Sequence, residues 1–330
     1  SLVFTSTHPP CALSFLTTSV STDARNVDMG TARMKLCQMF DEFIREVGKK
    51  QIGEAARIVD VLSKVFRSEM TSKFKCAVLK PLQTITELGM IHVDSTNVTE
   101  LIEWLFEDYS TGKTGTSRTS NTAQAEILVT IGLLGKRFPA SMSEWSKSIV
   151  GCCIHKIRSD PNKTPYVTFC GATKCLCSLL KDYSTHLGKD QIKFLYTYML
   201  KTLNFHNDLK RYTLALNTLE ILKQHTSLFR DVIMESDESV QTLFRTLLLT
   251  CRHSNKQLYR AGLQTIDVVM DEIAKCISIQ GTKKANVFRW LLVTLSGLIE
   301  DSSSSRNIIV GISGCGHLAS SIASLATKHL

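Results

Sequence analysis

The run Gly112-Lys113-Thr114 holds residue types that bind phosphate in nucleotide-binding loops. Such a loop needs another glycine five residues before Gly112, and position 107 is Glu107. It must also follow a β-strand, whereas this run follows a helical stretch. Because residues 110–121 are rich in Ser, Thr and Gly and lack apolar residues, we predict a variable inter-helix loop there and no nucleotide site.

The eleven cysteines could bind a metal, but they lack the necessary spacing. No Cys-x-x-Cys occurs, and the nearest candidate set is Cys152-Cys153 followed by His155. A structural zinc site uses two ligand pairs at turn-compatible spacings, so we predict no metal and no other cofactor. Free cysteines on apolar helix faces behave as small hydrophobic residues. We therefore predict buried, reduced thiols, which are typical of the cytosol or nucleus.

A third candidate run, Gly314-Cys315-Gly316-His317, places a thiol two residues from an imidazole. A nucleophile needs its base positioned across the fold and not along the same helix, so we interpret these small residues as a place where helices pack closely. The chain also lacks a nucleophile elbow, a dinucleotide fingerprint and a His-Glu-x-x-His motif. We predict no catalytic residue in this chain.

The remaining candidate function of the side chains is to bind an anion, because the chain carries excess positive charge. The net charge is +9 and the pI is near 9.0, which favours an acidic partner such as nucleic acid. The alternative is an ordinary solvated, slightly basic surface. In stacked helix pairs, equivalent positions line one edge, and cations there can follow a phosphate backbone without reading sequence. We predict that six such residues contact nucleic acid: Lys113, Arg118, Lys136, Arg137, Lys210 and Arg211.

A repeated run indicates what positions these cations. Leu-x-Arg-x-x-Leu occurs at 209–214 and again at 258–263, and Leu219 and Val268 fall into the same 49-residue register. Each run follows a short polar break and opens an apolar helical stretch. A period near 45–50 residues predicts stacked helical pairs. The arginines of these runs, Arg211 and Arg260, have an alternative role, which is to pair with a carbonyl or an acid of a neighbouring repeat.

Apolar residues recur at helical spacing through most of the chain, as at Leu36, Phe40, Phe43 and Val47. We predict an all-α chain: an α-solenoid of HEAT-like antiparallel pairs, about six to seven in number. Residues 1–30 are a weakly patterned N-terminal edge, and 31–330 form one continuous array. No apolar run is long enough to predict a membrane span. Helices are predicted over 31–47, 52–66, 71–90, 94–106, 122–138 paired with 141–158, 165–183 paired with 190–203, 208–225 paired with 236–251, 256–277 paired with 282–300, and 306–325.

Several runs also resemble a known family, and they occur in that family's order. They are Ser1-Leu2-Val3-Phe4, the segment 131–135 with Pro139 and Met142, and the segments 208–212, 255–263 and 306–311. These runs resemble the N-terminal helical-repeat region of the DNA-dependent protein kinase catalytic subunits, within the phosphatidylinositol-3-kinase-related kinases. The intervening residues diverge, so we interpret the chain as a divergent member and a segment of a longer polypeptide.

The resemblance implies a function that composition and spacing do not. It implies a non-catalytic scaffold segment of a nuclear DNA-repair serine/threonine kinase that acts in non-homologous end joining. The implied partners are double-stranded DNA ends, the Ku heterodimer and the remainder of the same polypeptide, and the kinase domain would lie outside this chain.

The alternative function is an adaptor of HEAT or armadillo type that binds protein partners in transport or signalling without contacting DNA. Peptide-binding armadillo arrays repeat Trp and Asn along one ridge, whereas Trp104, Trp145 and Trp290 are irregularly spaced. This spacing disfavours the adaptor.

Overall fold

The computed structural model describes residues 27–47, 59, 62–64, 66, 72–89, 97–111, 113–114, 117–118, 120–159, 165–204, 212–280, 285–301 and 304–328. This part of the chain is all-α, as predicted. Apart from short 3₁₀ turns and one hairpin of two-residue strands, β1 (Lys113–Thr114) and β2 (Ser117–Arg118), its regular elements are helices. The helices are α1 (Val27–Val47), α2 (Ser72–Glu87), α3 (Asn97–Thr111), α4 (Asn121–Arg137), α5 (Pro139–Met142), α6 (Ser146–Arg158), α7 (Tyr166–Tyr183), α8 (Lys189–Asn204), α9 (Tyr212–His225), α10 (Arg230–Ile233), α11 (Asp237–Cys251), α12 (Lys256–Gln280), α13 (Ala285–Glu300) and α14 (Ser305–Lys328).

Most helix boundaries lie within a few residues of the predicted ones. The predicted loop at 110–121 is shorter than expected, because Ser110 and Thr111 end α3, Asn121 begins α4, and the hairpin lies between them. Pro81 does not end α2, which continues to Glu87. Most of the predicted helix 52–66 lies outside the described residues.

The helices form two compact units, residues 1–183 and 184–330. In the first unit α1, α2, α4 and α7 pack side by side in chain order, while α3 packs on α4 and α6 packs on α7. In the second unit α9, α12 and α14 form the same kind of layer, and α8, α11 and α13 pack on them in that order. Each unit is therefore a two-layer stack of helix pairs, which is the solenoid architecture.

The predicted pairing of helices is wrong, because the second helix of each predicted pair packs on the helix that follows it and not on the one before it. The segment 141–158 was paired with 122–138, but α6 packs on α7, and in the second unit α8 pairs with α9, α11 with α12 and α13 with α14. Apolar spacing shows that each helix has one buried stripe. It does not show which of two sequence neighbours faces that stripe, because the connections on both sides are short.

Polar side chains link helices that pack side by side. The bonded residues are about one repeat apart in the sequence. The Thr84 hydroxyl donates to Asp41 between α1 and α2, 43 residues apart. The Gln83 amide donates to the Thr130 hydroxyl at 3.0 Å between α2 and α4, 47 residues apart. In the second unit, Thr265 of α12 donates to the Leu219 carbonyl of α9 at 3.3 Å, 46 residues apart. Two of these separations fall within the predicted period of 45–50 residues, and the third is two residues shorter.

The predicted 49-residue register is wrong for one pair of residues. Leu219 is fully buried, whereas Val268 is 37% exposed. The contact of Leu219 with Thr265 places α9 and α12 about one helical turn away from that register.

Glycines let the layer helices approach to backbone contact. An ideal Cβ at Gly171 of α7 would lie 2.7 Å from the Cα of Ala125 in α4, and one at Gly132 of α4 would lie 2.9 Å from the Cα of Cys175. A Cβ at Gly311 of α14 would lie 2.8 Å from the Leu295 carbonyl oxygen of α13, and one at Gly314 would lie 2.6 Å from the Leu295 side chain. The predicted close helix packing in the Gly-Cys-Gly-His run is thus confirmed for Gly314, whereas a Cβ at Gly316 would meet nothing within 4 Å.

The described cysteines carry free thiols, most of them buried, as predicted. A hydrogen bond to Cys175 and burial raise the pKa of Cys153 well above its usual value. Burial likewise raises the pKa of Cys37 and Cys251 to about 12. Cys153 is buried while His155 is exposed, so the two lie on different faces of α6.

No helix in the described ranges has both the length and the apolar character that a membrane crossing requires.

Substitution of Gly171 tests the close packing of α4 and α7. We expect Gly171→Ala to lower the free energy of unfolding by about 1–3 kcal/mol, because the new methyl group would overlap backbone that cannot rotate away. The matched control is Gly151→Ala in α6, where a Cβ meets nothing within 4 Å. That change is expected to stabilise the chain by up to about 1 kcal/mol. Urea unfolding of both variants measures the difference, and equal effects would contradict the packing.

Candidate nucleic-acid interface

The hairpin places two of the predicted cations together. Lys113 and Arg118 are directly paired across its antiparallel strands. The hairpin follows the last residue of α3 and precedes Ser120, whose hydroxyl caps α4 by accepting from the Ala123 N–H at 3.2 Å. Lys113 and Arg118 therefore lie at the edge of the first unit where α3 ends and α4 begins.

Three cations that were not predicted as DNA contacts share this edge. The Lys156 ammonium lies 6.0 Å from the ring centroid of Tyr109, in the last turn of α3, and Arg158 ends α6 as an exposed side chain. The exposed Lys73 follows Ser72, whose hydroxyl accepts from the Ser120 N–H at 3.0 Å and so joins the starts of α2 and α4. We call this set the basic edge. It comprises Lys73, Lys113, Arg118, Lys156 and Arg158.

Lys136 and Arg137 lie at the opposite end of α4. They are exposed in its last turn, and an Arg137 N–H donates to the Gly89 carbonyl at 3.5 Å. Because α4 has 17 residues, they are about 25 Å from the start of that helix. The expectation that the six predicted cations share one edge is therefore wrong for these two. Lys210 and Arg211 lie outside the described residues.

Several other cations stabilise the stack. The Lys75 ammonium is buried, 2.5 Å from the Asp108 carboxylate and 4.6 Å from the Phe66 ring centroid. Lys80 pairs with Glu126 at 2.9 Å between α2 and α4. These two lysines therefore contribute to packing between helices of the first unit.

One arginine of the second unit has the alternative role that was considered for Arg211 and Arg260. Arg306 lies 46 residues after Arg260. An N–H of its guanidinium donates to the His253 carbonyl at 2.9 Å, and the guanidinium lies 3.9 Å from the Tyr259 ring centroid. Arg306 thus joins the start of α14 to the end of α11. Arg260 itself is exposed.

The basic edge has the chemistry of a phosphate-binding surface. Its residues lie near the starts of α2 and α4, where the helix dipole also favours negative charge. Lysine and arginine at such positions hold a phosphate backbone without distinguishing bases. Lys156 and Arg158 had one signal in the sequence, which is their place in the last turn of a helix. That place does not show which edge of the stack the two residues share until the helix pairing is known.

A two-layer stack of helix pairs defines the class of this protein, which is an all-α helical-repeat solenoid. Over residues 1–330 the chain matches the family model described as DNA-PKcs, N-terminal. The chain belongs to this family.

Individual relatives agree with the family model at low identity. The chain is 20% identical over 327 residues to the DNA-dependent protein kinase catalytic subunit of Xenopus laevis, covering 96% of this chain and 8% of that protein. It is 20% identical over 303 residues to the Mus musculus protein of the same name, covering 88% and 7%. For the Gallus gallus protein the identity is 21% over 290 residues, covering 84% and 7%. The chain thus spans less than a tenth of the length of each of these relatives.

Removal of the Lys75 ammonium tests which cations are structural. We expect Lys75→Met to cost about 3–5 kcal/mol of folding free energy, because it leaves the Asp108 carboxylate buried without its counter-ion. In the control Lys80→Met, the lysine side chain is 50% exposed in the native protein, and the expected cost is about 0–1 kcal/mol. Chemical denaturation gives both values. A Lys75 variant as stable as the Lys80 variant would show that this ion pair does not hold α2 against α3.

Proposed function

We propose that this chain is a non-catalytic scaffold segment of a DNA-repair serine/threonine kinase and that its basic edge contacts double-stranded DNA ends in non-homologous end joining. The observation that carries the DNA contact is the convergence of Lys73, Lys156 and Arg158 with the Lys113–Arg118 hairpin at the starts of two helices. The name of these relatives, DNA-dependent protein kinase catalytic subunit, supports DNA as the ligand.

The kinase activity itself is assigned to another part of the polypeptide. The family model is that of an N-terminal region, and the chain covers only 8% of the Xenopus laevis relative. The proposed role of the segment is mechanical: each helix pair buries its apolar stripe on the next, and the stack holds the cations at fixed spacing.

The resemblance to the family also supports three further parts of the proposal. These are contact with the Ku heterodimer, contact with the remainder of the same polypeptide, and residence in the nucleus. Binding of the 330-residue chain to purified Ku, measured with and without duplex DNA, tests the first of these. Binding that requires neither DNA nor the basic edge would indicate a separate protein-binding surface.

Charge reversal at the basic edge tests the DNA contact. We expect the double variant Lys156→Glu/Arg158→Glu to bind a blunt-ended duplex at least tenfold more weakly than the native chain. The slope of log affinity against log salt should fall in magnitude by about two, because two phosphate contacts are lost. Fluorescence anisotropy of a labelled duplex over a salt series measures both quantities.

The matched variant Lys136→Glu/Arg137→Glu carries the same change of charge at the far end of α4. It tests the prediction that these two residues also contact DNA. An equal loss of affinity in both variants would contradict a single binding edge and would indicate a response to net charge. If the native chain fails to bind even at low salt, the DNA contact is excluded for this segment. The adaptor function would then remain.

A further inference from the structure

Helices α8, α11 and α13 each carry a cation at the same repeat position. Lys201, Arg245 and Arg289 follow one another at intervals of 44 residues, and all three are exposed. The interval agrees with a contact between two of these helices, because the Tyr196 hydroxyl of α8 donates to the Ser239 carbonyl of α11 at 3.4 Å, 43 residues apart. The three cations therefore form a row across the outer layer of the second unit.

An apolar residue accompanies the cation one helical turn later in α11 and in α13. Leu249 follows Arg245 by four residues, Val293 follows Arg289 by four, and the two apolar residues are again 44 residues apart. Residues four apart share a helix face. Leu249 is 49% exposed and Val293 is 68% exposed, so apolar side chains face solvent beside the row of cations.

An indole ring lies between the two helices of this surface. The Arg245 guanidinium is 5.8 Å from the ring centroid of Trp290, and the Phe244 ring meets the same indole edge-on at 5.8 Å. Trp290 is only partly buried, so its ring adds aromatic area beside the apolar row. We call the whole surface the cationic outer face. It comprises Lys201, Arg245, Leu249, Arg289, Trp290 and Val293.

The cations of this face have no acidic partner within the described part of the chain. Lys201, Arg245 and Arg289 form no ion pair and donate no hydrogen bond to a residue described there. About two turns earlier in α8, by contrast, Lys193 pairs with Glu235 at 2.8 Å. The outer layer thus balances its charge at one end of α8 and leaves it unbalanced along the cationic outer face.

We infer that the cationic outer face binds an acidic amphipathic helix of a protein partner. Carboxylates of that helix would neutralise the row of cations, and an arginine can hold one carboxylate through two parallel hydrogen bonds. Its apolar side chains would cover Leu249, Val293 and the exposed part of Trp290. Tryptophan and arginine are also the residue types that contribute most to binding at protein interfaces.

The apolar row favours protein over nucleic acid as the partner. Phosphates would neutralise the cations but would leave Leu249 and Val293 in water, whereas an amphipathic helix satisfies both rows. Packed helices lie about 8–10 Å apart, which sets the distance between successive cations. Two turns of a helix advance about 11 Å, so a helix that crosses the outer layer meets successive cations when its acids recur every seven residues.

A synthetic peptide tests this binding. The probe is a fluorescein-labelled, alanine-based helical peptide with glutamates at i, i+7 and i+14 and leucines at i+3 and i+10. One control peptide has glutamine in place of each glutamate, and another has alanine in place of each leucine. We expect the 330-residue chain to bind the probe at least tenfold more tightly than either control, measured by fluorescence anisotropy at about 150 mM salt.

Charge-reversal variants locate the binding. We expect Arg245→Glu/Arg289→Glu to weaken binding of the probe at least tenfold, because two attractive charges become repulsive. The matched control Lys256→Glu/Arg260→Glu changes two exposed cations of α12, in the other layer, by the same charge. It is expected to leave the affinity within about twofold of native.

A further variant tests the apolar row without changing charge. We expect Leu249→Ser/Val293→Ser to weaken binding of the probe several-fold, because both side chains are largely exposed in the free chain and become covered in the complex. Circular dichroism checks that each variant is folded.

Three results would overturn the inference. The first is equal weakening by the two charge-reversal variants, which would indicate a response to net charge alone. The second is native affinity in the folded Arg245→Glu/Arg289→Glu variant. The third is displacement of the probe by a blunt-ended duplex from a chain carrying Lys156→Glu/Arg158→Glu, which would identify the face as a phosphate-binding surface. None of these results depends on whether the basic edge binds DNA.

Discussion

The structure depends on the contact between helices that pack side by side. These helices are α1, α2, α4 and α7 in the first unit and α9, α12 and α14 in the second. Where Gly171 of α7 meets Ala125 of α4, this contact closes to the backbone itself. Between other layer helices, hydrogen bonds join Gln83 to Thr130 and Thr265 to Leu219. Both kinds of contact join residues one repeat apart, so the repeat length is fixed by packing and not only by the sequence pattern.

This stacking determines where charge accumulates. In the first unit the layer helices run parallel to one another, so their starts meet at one edge and their ends at the other, as the bond between Ser120 and Ser72 shows for α2 and α4. The starts of these helices attract anions, and the cations of the basic edge lie beside them.

Sequence could predict the helices, their apolar faces and the approximate repeat length, because these follow from local spacing. It could not predict which neighbour each helix pairs with, since α6 has connections of similar length on both sides and packs on α7. That ambiguity affects the candidate site directly. Lys136 and Arg137 are close in sequence to Lys113 and Arg118, yet α4 separates the two pairs by its full length. Lys156 is distant in sequence but lies beside Tyr109 at the end of α3.

The central claim is that one edge of the first unit binds a DNA duplex. Lysine acetylation footprinting, read by mass spectrometry on the 330-residue chain with and without a blunt-ended duplex, tests it most directly. The account predicts that DNA protects Lys73, Lys113 and Lys156 several-fold while Lys136, at the far end of α4, reacts at an unchanged rate. Protection of Lys136 without Lys156, or equal protection of all lysines, would contradict it.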